Sequence, residues 1–182
     1  MKIPAQAKRV FKGIVFDVYQ WPQKMFDGSF STFEMIKRAN TVEVMAISGD
    51  RILLTHQSQP NKDDFYSLIG GRGEEGEEPL VTAKRELLEE AGLTSDSFEL
   101  YKIYEPVHKV DWQVYLYIAR DCRRVANQKL DAGEKIEIKE CTFEEFVELI
   151  VSNKYWGNEL TLEVLRMKDQ GSLNEFKKKL LE

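Results

Sequence analysis

The chain has 182 residues, 42% hydrophobic and 31% charged, with a formal net charge of −5. That balance excludes a disordered or fibrous chain and leaves room for one sizeable core. It also argues against a nucleic-acid backbone as the main partner, because the overall charge gives phosphates no attraction. Cys122 and Cys141 lie far apart and outside any CxxC spacing. Neither a zinc site nor a disulfide framework is therefore expected, and a reducing compartment fits. The N-terminus lacks the apolar stretch of a signal peptide. No run approaches the roughly 20 apolar residues that span a bilayer. The expectation is a cytoplasmic protein with no membrane partner.

Residues 10–20, VFKGIVFDVYQ, are rich in β-branched and aromatic side chains and predict a strand. Asp27-Gly28 marks a turn, and Phe30 to Arg38 predicts a second strand. Residues 1–40 thus form an expected antiparallel arm. Residues 41–48 and 51–57 predict two strands joined at Gly49-Asp50, a hairpin signal. Residues 58–66 are polar and read as a loop. A glycine-rich loop follows, Gly70-Gly71-Arg72-Gly73, and then an acidic segment to Glu78. Pro79 to Ala91 predicts a helix, with Pro79 in its first turn and Gly92 as its stop. Strands are predicted over 98–105, 112–119 and 136–142, with a loop at 131–135. Thr142, with Glu145 three residues on, forms a capping-box pattern that opens a helix from Phe143 to Ser152. Helices near 159–168 and 172–181 close the chain. This order predicts an α/β fold with a mixed sheet and helices on its faces. One domain is expected, divided into the arm (1–40), a core (41–152) and C-terminal helices (153–182).

A step of 100° per residue along 79–91 predicts Leu80, Ala83, Leu87, Leu88 and Ala91 on one broad side. Glu86, Glu89 and Glu90 are expected on the other. Glu86 and Glu90 stand one turn apart, roughly 6 Å between Cβ atoms. Three crowded carboxylates repel each other, and they lie near the C-terminal end, where the helix dipole disfavours negative charge. Such a cluster reads either as a solvated acidic face or as a platform for a hard divalent cation. Mg²⁺ takes oxygen ligands and retains water and substrate phosphates. The glycine loop just upstream favours the second reading, because glycines let backbone carbonyls and amides approach a ligand closely.

Gly71, Glu77, Arg85, Glu86, Leu87, Glu89, Glu90, Gly92 and Leu93 follow the spacing G-x5-E-x7-R-E-U-x-E-E-x-G-U, where U is bulky and aliphatic. This resembles the Nudix box at every defined position. The resemblance implies a Nudix fold, an α/β/α sandwich around a mixed sheet. It implies hydrolysis of a nucleoside diphosphate linked to another moiety, with Mg²⁺ as the cofactor and Mn²⁺ as a substitute. It further implies Glu86 and Glu90 as the main metal ligands, Glu89 as a third, direct or through water, and the Gly70 carbonyl as another. Arg85 and Glu77 would orient the glutamates, although the spacing of Arg85 alone fits a surface arginine equally. The attacking water needs a base. In many relatives a box glutamate serves, which makes Glu89 a candidate. In the ADP-ribose pyrophosphatase branch a glutamate on a later loop is the usual candidate. Leu130 to Glu137 resembles that branch's GE-x-I/V-E-V segment and places Glu134 at the base position. Taken alone, Glu134 also fits an ordinary exposed loop residue.

Phe11-Lys12-Gly13, Asp27-Gly28, Phe33-Glu34 and Arg38 resemble the arm of the ADP-ribose and nucleoside-diphosphate-sugar hydrolase branch. In that branch the arm builds a homodimer and its aromatics sandwich the base. The resemblance makes Trp21 and Phe33 stacking candidates and Arg38 a phosphate ligand. Phe33 fits a packing or interface residue as well, Arg38 fits a solvated edge arginine, and Trp21 beside Pro22 is expected to be exposed. Gln59 stands where the branch often carries arginine. Glutamine offers hydrogen bonds but neither charge nor a guanidinium fork, which leaves nucleotide sugars other than ADP-ribose open. His108 and Lys109, after Pro106, read as surface-loop residues with phosphate contact as the alternative. The expected substrate is ADP-ribose or another nucleotide sugar. The alternatives are a nucleoside triphosphate or dinucleoside polyphosphate and, outside enzymes, a ligand-sensing regulator, against which the intact box glutamates argue.

Overall fold

The structure, a computed structural model, describes residues 2–182. In chain order its elements are β1 (Lys8–Lys12), β2 (Asp17–Lys24), β3 (Phe30–Lys37), β4 (Thr41–Ser48), β5 (Arg51–Gln59), β6 (Lys62–Ser67), α1 (Pro79–Ala91), β7 (Leu93–Thr94), β8 (Ser97–Tyr104), β9 (Val110–Asp111), β10 (Val114–Arg120), β11 (Arg123–Arg124), β12 (Lys135–Cys141), α2 (Phe143–Ile150), α3 (Asn158–Gln170) and α4 (Leu173–Leu181).

The central sheet runs β12-β5-β4-β10-β8, with β6 paired to β5 as well. β4 and β10 are parallel and their other neighbours antiparallel, so the sheet is mixed. The TVEVMAIS run of β4 is buried on both faces, which is why it reads as a near-continuous apolar stretch. Val42, Val44 and Ala46 pack with Ala83, Leu87 and Ala91 of α1. Met45 and Ile47 pack on the other face with Phe146, Ile150, Leu160, Val164, Phe176 and Leu180 of the C-terminal helices. The result is the expected α/β/α sandwich. The capping box is present: the Glu145 N–H donates to Thr142 Oγ1 at 3.2 Å, and the Thr142 N–H donates to Glu145 Oε2 at 2.8 Å. Cys122 and Cys141 are free and buried, one in each core layer. Among the described residues no helix is long and apolar enough to cross a membrane.

Four expectations are corrected. The single strand over 10–20 is a hairpin of β1 and β2, reversed at Gly13, whose N–H donates to Phe16 O at 3.0 Å. The polar loop over 58–66 is the end of β5, a turn with Asn61 at φ 63°, and β6. Polar residues form strand there because buried Gln57 finds partners, its Nε2 donating to Thr55 Oγ1 and Ser67 Oγ at 2.9 Å each, while Phe65 is buried. Trp21 is 6% exposed rather than open to solvent. It sits opposite Phe33 on β3, with ring centroids 5.1 Å apart, and its Nε1 donates to Gln23 Oε1. In α1, Leu80 and Leu88 are exposed and Glu90 is buried at 6% exposure. Glu90 lies about 60° round the helix from Leu87 at 100° per residue, so it belongs to the flank turned to the sheet.

Candidate active site

α1 follows Glu78 with Pro79 in its first turn, and Gly92 ends it in the left-handed conformation at φ 66°, its N–H on the Leu87 and Leu88 carbonyls. The helix thus presents a fixed C-terminal end, with Glu89 and Glu90 on its last turn and Glu86 one turn before Glu90. The glycine loop crosses this turn at very short range. A Cβ on Gly71 would stand 2.6–2.8 Å from the Glu86 carboxylate, and one on Gly70 would stand 2.2 Å from Val42 O. The Gly70 N–H donates to Glu90 Oε2 at 2.8 Å. Glycine is required at position 70 because a side chain would collide with the backbone of β4, and at position 71 a side chain would displace the Glu86 carboxylate.

Arg85 organises the acidic groups. Its Nε and Nη2 form a bidentate pair with Glu77 at 3.0 Å each, and its Nη1 meets Glu86 Oε1 at 2.8 Å and Glu89 Oε2 at 3.0 Å. Nη2 also donates to Arg72 O at 3.1 Å. Thr82 Oγ1 adds a hydrogen bond to Glu77. The guanidinium holds the Glu77 carboxyl down at about 2, so Glu77 stays ionised at any working pH. Burial acts oppositely on the other carboxylates. It pushes Glu90 up to about 8, with further repulsion from Glu86, Glu134 and Glu89 after relief from the Gly70 N–H. Burial also raises Glu86, against the attraction of Arg85.

These groups form one wall of a cleft of about 1370 Å³ between the arm, the 70–79 loop, α1 and the 129–134 loop. Glu134, from the last of these, lines it too and repels both Glu86 and Glu90. Basic residues line the same cleft, among them Lys12, Lys37, Arg38 and Arg72. Arg38 is half-buried, its guanidinium stacked 4.5 Å above the Trp112 ring, and its Nε is buried with no hydrogen-bond partner. Burial, and then repulsion by Arg72, lowers its proton affinity. A half-buried guanidinium facing another cation and lacking an acceptor is suited to a phosphate oxygen.

The structure therefore brings together Gly70, Arg85, Glu86, Glu89, Glu90, Glu134 and Arg38. Trp21, Phe33 and Gln59 stand outside this cleft. Arg72 was not singled out from sequence, because it occupies an unconstrained position of the box. Gln128, which ties the Glu134 loop to α1, lies in a polar stretch with no pattern to mark it.

An acidic helix end under a glycine loop, in a cleft also lined by arginines and lysines, suits phosphorus-anhydride chemistry. Residues 37–160 match the model of the NUDIX domain family; the chain belongs to this family and is a Nudix hydrolase. An ADP-ribose pyrophosphatase of Bacillus subtilis (strain 168) is 28% identical over 153 residues, which cover 82% of this chain and 83% of that protein. A methanol dehydrogenase activator of Bacillus methanolicus is 24% identical over 172 residues, 92% of this chain and 93% of that protein. A solved structure described as an ADP compounds hydrolase has a TM-score of 0.71 at 18% identity, covering 92% of this chain and 95% of that one. That last likeness concerns the fold.

Proposed function

We propose that this hydrolase cleaves the diphosphate bond of ADP-ribose or a closely related nucleotide sugar, with a divalent cation held on the last turn of α1. The observation that carries the reading is the presence, in one cleft, of the buried Glu90 and partly buried Glu86 carboxylates together with the Arg38 guanidinium, whose Nε has no hydrogen-bond partner. The likeness to the Bacillus subtilis pyrophosphatase supports the ADP-ribose choice.

The residues present fit Mg²⁺ in kind. All the candidate donors are hard oxygens, from Glu86, Glu89, Glu90 and the Gly70 carbonyl. Burial disfavours the charged form of Glu90, and a bound dication would restore it. No three His, Cys, Asp or Glu side chains among the described residues already converge as a ligand shell. Arg85 draws Glu86 and Glu89 toward itself while the Gly70 N–H holds Glu90. Bound Mg²⁺, or Mn²⁺ in its place, supplies charge neutralisation of the diphosphate and a lowered pKa for a coordinated water.

The chain's own groups supply the rest. Glu134 accepts the water's proton, and Glu89 is the alternative base. Arg38, with Arg72 beside it, binds phosphate oxygens and neutralises charge that would repel the incoming water. Arg85 and Glu77 hold the carboxylates in place. With ADP-ribose, the water oxygen joins one phosphorus as the bridging P–O bond breaks, giving AMP and ribose 5-phosphate. The reading is tested with Mg²⁺ and a panel of ADP-ribose, other nucleotide sugars, nucleoside triphosphates and dinucleoside polyphosphates. The ADP-linked sugars are expected to have the highest kcat/KM; preference for a triphosphate would overturn the substrate choice.

A homodimer through the arm belongs to the same reading. Val10, Phe11, Ile14, Phe26 and Phe30 are all more than half exposed on the arm, an apolar surface that a second copy would cover. Trp21 and Phe33 do not line their own cleft, and a stacking role for them would call for a partner's cleft. A dimer mass is expected in light scattering at micromolar concentration, and a monomer mass would sink this part of the reading.

A further inference from the structure

An α-helix leaves its last four carbonyls without intrahelical donors. In α1 these belong to Leu88, Glu89, Glu90 and Ala91, the turn that carries two of the metal-side carboxylates. The Gly92 N–H takes the Leu88 carbonyl at 2.9 Å. The next two are capped by a distant segment. The Lys129 N–H donates to Glu89 O at 2.8 Å, and Gln128 Nε2 donates to Glu90 O at 2.5 Å. The same Nε2 donates to Ile136 O, at the start of β12, at 3.1 Å. Upstream, the Val125 and Ala126 N–H groups both donate to Gly92 O, at 2.9 and 3.2 Å.

The 125–129 segment is thus fastened along the end of α1. The Gln128 amide clamps the helix turn to the strand that leaves the loop, across the base of residues 129–135. Glu134 stands in that loop, its backbone N–H on Asp131 O at 3.0 Å. Among the described residues no other side-chain hydrogen bond joins α1 to β12, so one planar amide spans the two elements whose separation sets where Glu134 lies relative to Glu86 and Glu90.

We propose that Gln128 is a positioning residue that, through both N–H groups of its amide, fixes the Glu134 loop over the α1 carboxylates. This rests on the proposed role of Glu134 as base. A displacement of the base by about 1 Å is enough to cost on the order of 10²-fold in rate. Methionine has the length of glutamine without its donors, so Gln128→Met would take the shared donor from the Glu90 and Ile136 carbonyls and release the loop.

The test uses the full chain with ADP-ribose and Mg²⁺ for turnover, and hydrogen exchange of the same proteins without substrate. Gln128→Met is expected to lower kcat about 10- to 100-fold, with KM changed by less than about twofold. Exchange is expected to quicken in residues 129–135 while β4 and β5 keep wild-type protection. Gln128→Glu, which turns a donor into an acceptor against the same carbonyls, should give the same signature if the methionine variant folds poorly. In a Glu134→Gln background, Gln128→Met is expected to add no further loss, because both act through one group. Wild-type exchange in 129–135, or losses that multiply in the double variant, would overturn the proposal. Full turnover by Glu134→Gln alone would instead remove Glu134 as the base, and the exchange result is read independently of that.

Discussion

Glu90→Gln is expected to lower turnover on the order of 10³-fold, yet to make the metal-free protein more stable at pH 8. The first effect follows, on the proposed function, from losing an anionic oxygen that would hold the cation, worth several kcal/mol of transition-state charge stabilisation. The second follows from burial. The Glu90 carboxyl, ordinarily at 4.5, is pushed up to about 8 in the fold. Between those values the folded chain holds a proton that the unfolded chain releases, so stability falls as pH rises through about 4.5 to 8 and is lowest above it. Glutamine is neutral throughout and keeps an oxygen to accept from the Gly70 N–H. Melting curves in EDTA at pH 5.5 and pH 8 should show a wild-type loss between the two that the variant reduces. An unchanged pH slope would mean that Glu90 is already ionised and compensated in the apo protein. Glu86 shifts in the same direction, so some slope should survive in the variant.

The second large effect is at Arg85. Its fork makes five hydrogen bonds, four to carboxylates of Glu77, Glu86 and Glu89 and one to the Arg72 carbonyl. Arg85→Met would leave those carboxylates facing each other with little solvent to screen them, since the Glu77 and Glu86 side chains are each 12% exposed. Breaking such a network costs about 3 kcal/mol, which for a chain of this length lowers the melting temperature by about 10 °C. Turnover should fall about 100-fold as the glutamates lose their orientation. Arg85→Lys is expected to recover little, because one ammonium cannot pair bidentately with Glu77 and still reach Glu86, Glu89 and the loop carbonyl. A lysine variant with wild-type stability and rate would show that charge alone, not the fork, is what α1 needs.

The box was legible because its chemistry constrains residue type and spacing together: a carboxylate cluster on one turn, glycines that admit it, and an arginine to hold it. The sandwich was legible because β4 and β5 are apolar enough for two-sided burial and α1 has clear end signals. The burial of Glu90 was not, because an acidic residue breaks the rule that polar positions mark the solvent side, and it breaks that rule at the site itself. Trp21 was misplaced because its burial depends on Phe33, paired with it across a turn. β6 was hidden by polar residues whose partners, Thr55 and Gln57, lie on the preceding strand. Of the basic residues in the cleft only Arg38 was read as a phosphate ligand, from the arm's resemblance; Arg72 was not, since the two become neighbours only when the arm folds over the glycine loop.

The most direct test of the central claim is the product of ADP-ribose cleavage, followed by ³¹P NMR in ¹⁸O-labelled water with Mg²⁺ added to metal-free enzyme. AMP and ribose 5-phosphate are expected in equal amounts, with one labelled oxygen on one of the two phosphates and no turnover before the metal is added. No cleavage with either Mg²⁺ or Mn²⁺, or equal rates in EDTA, would contradict it.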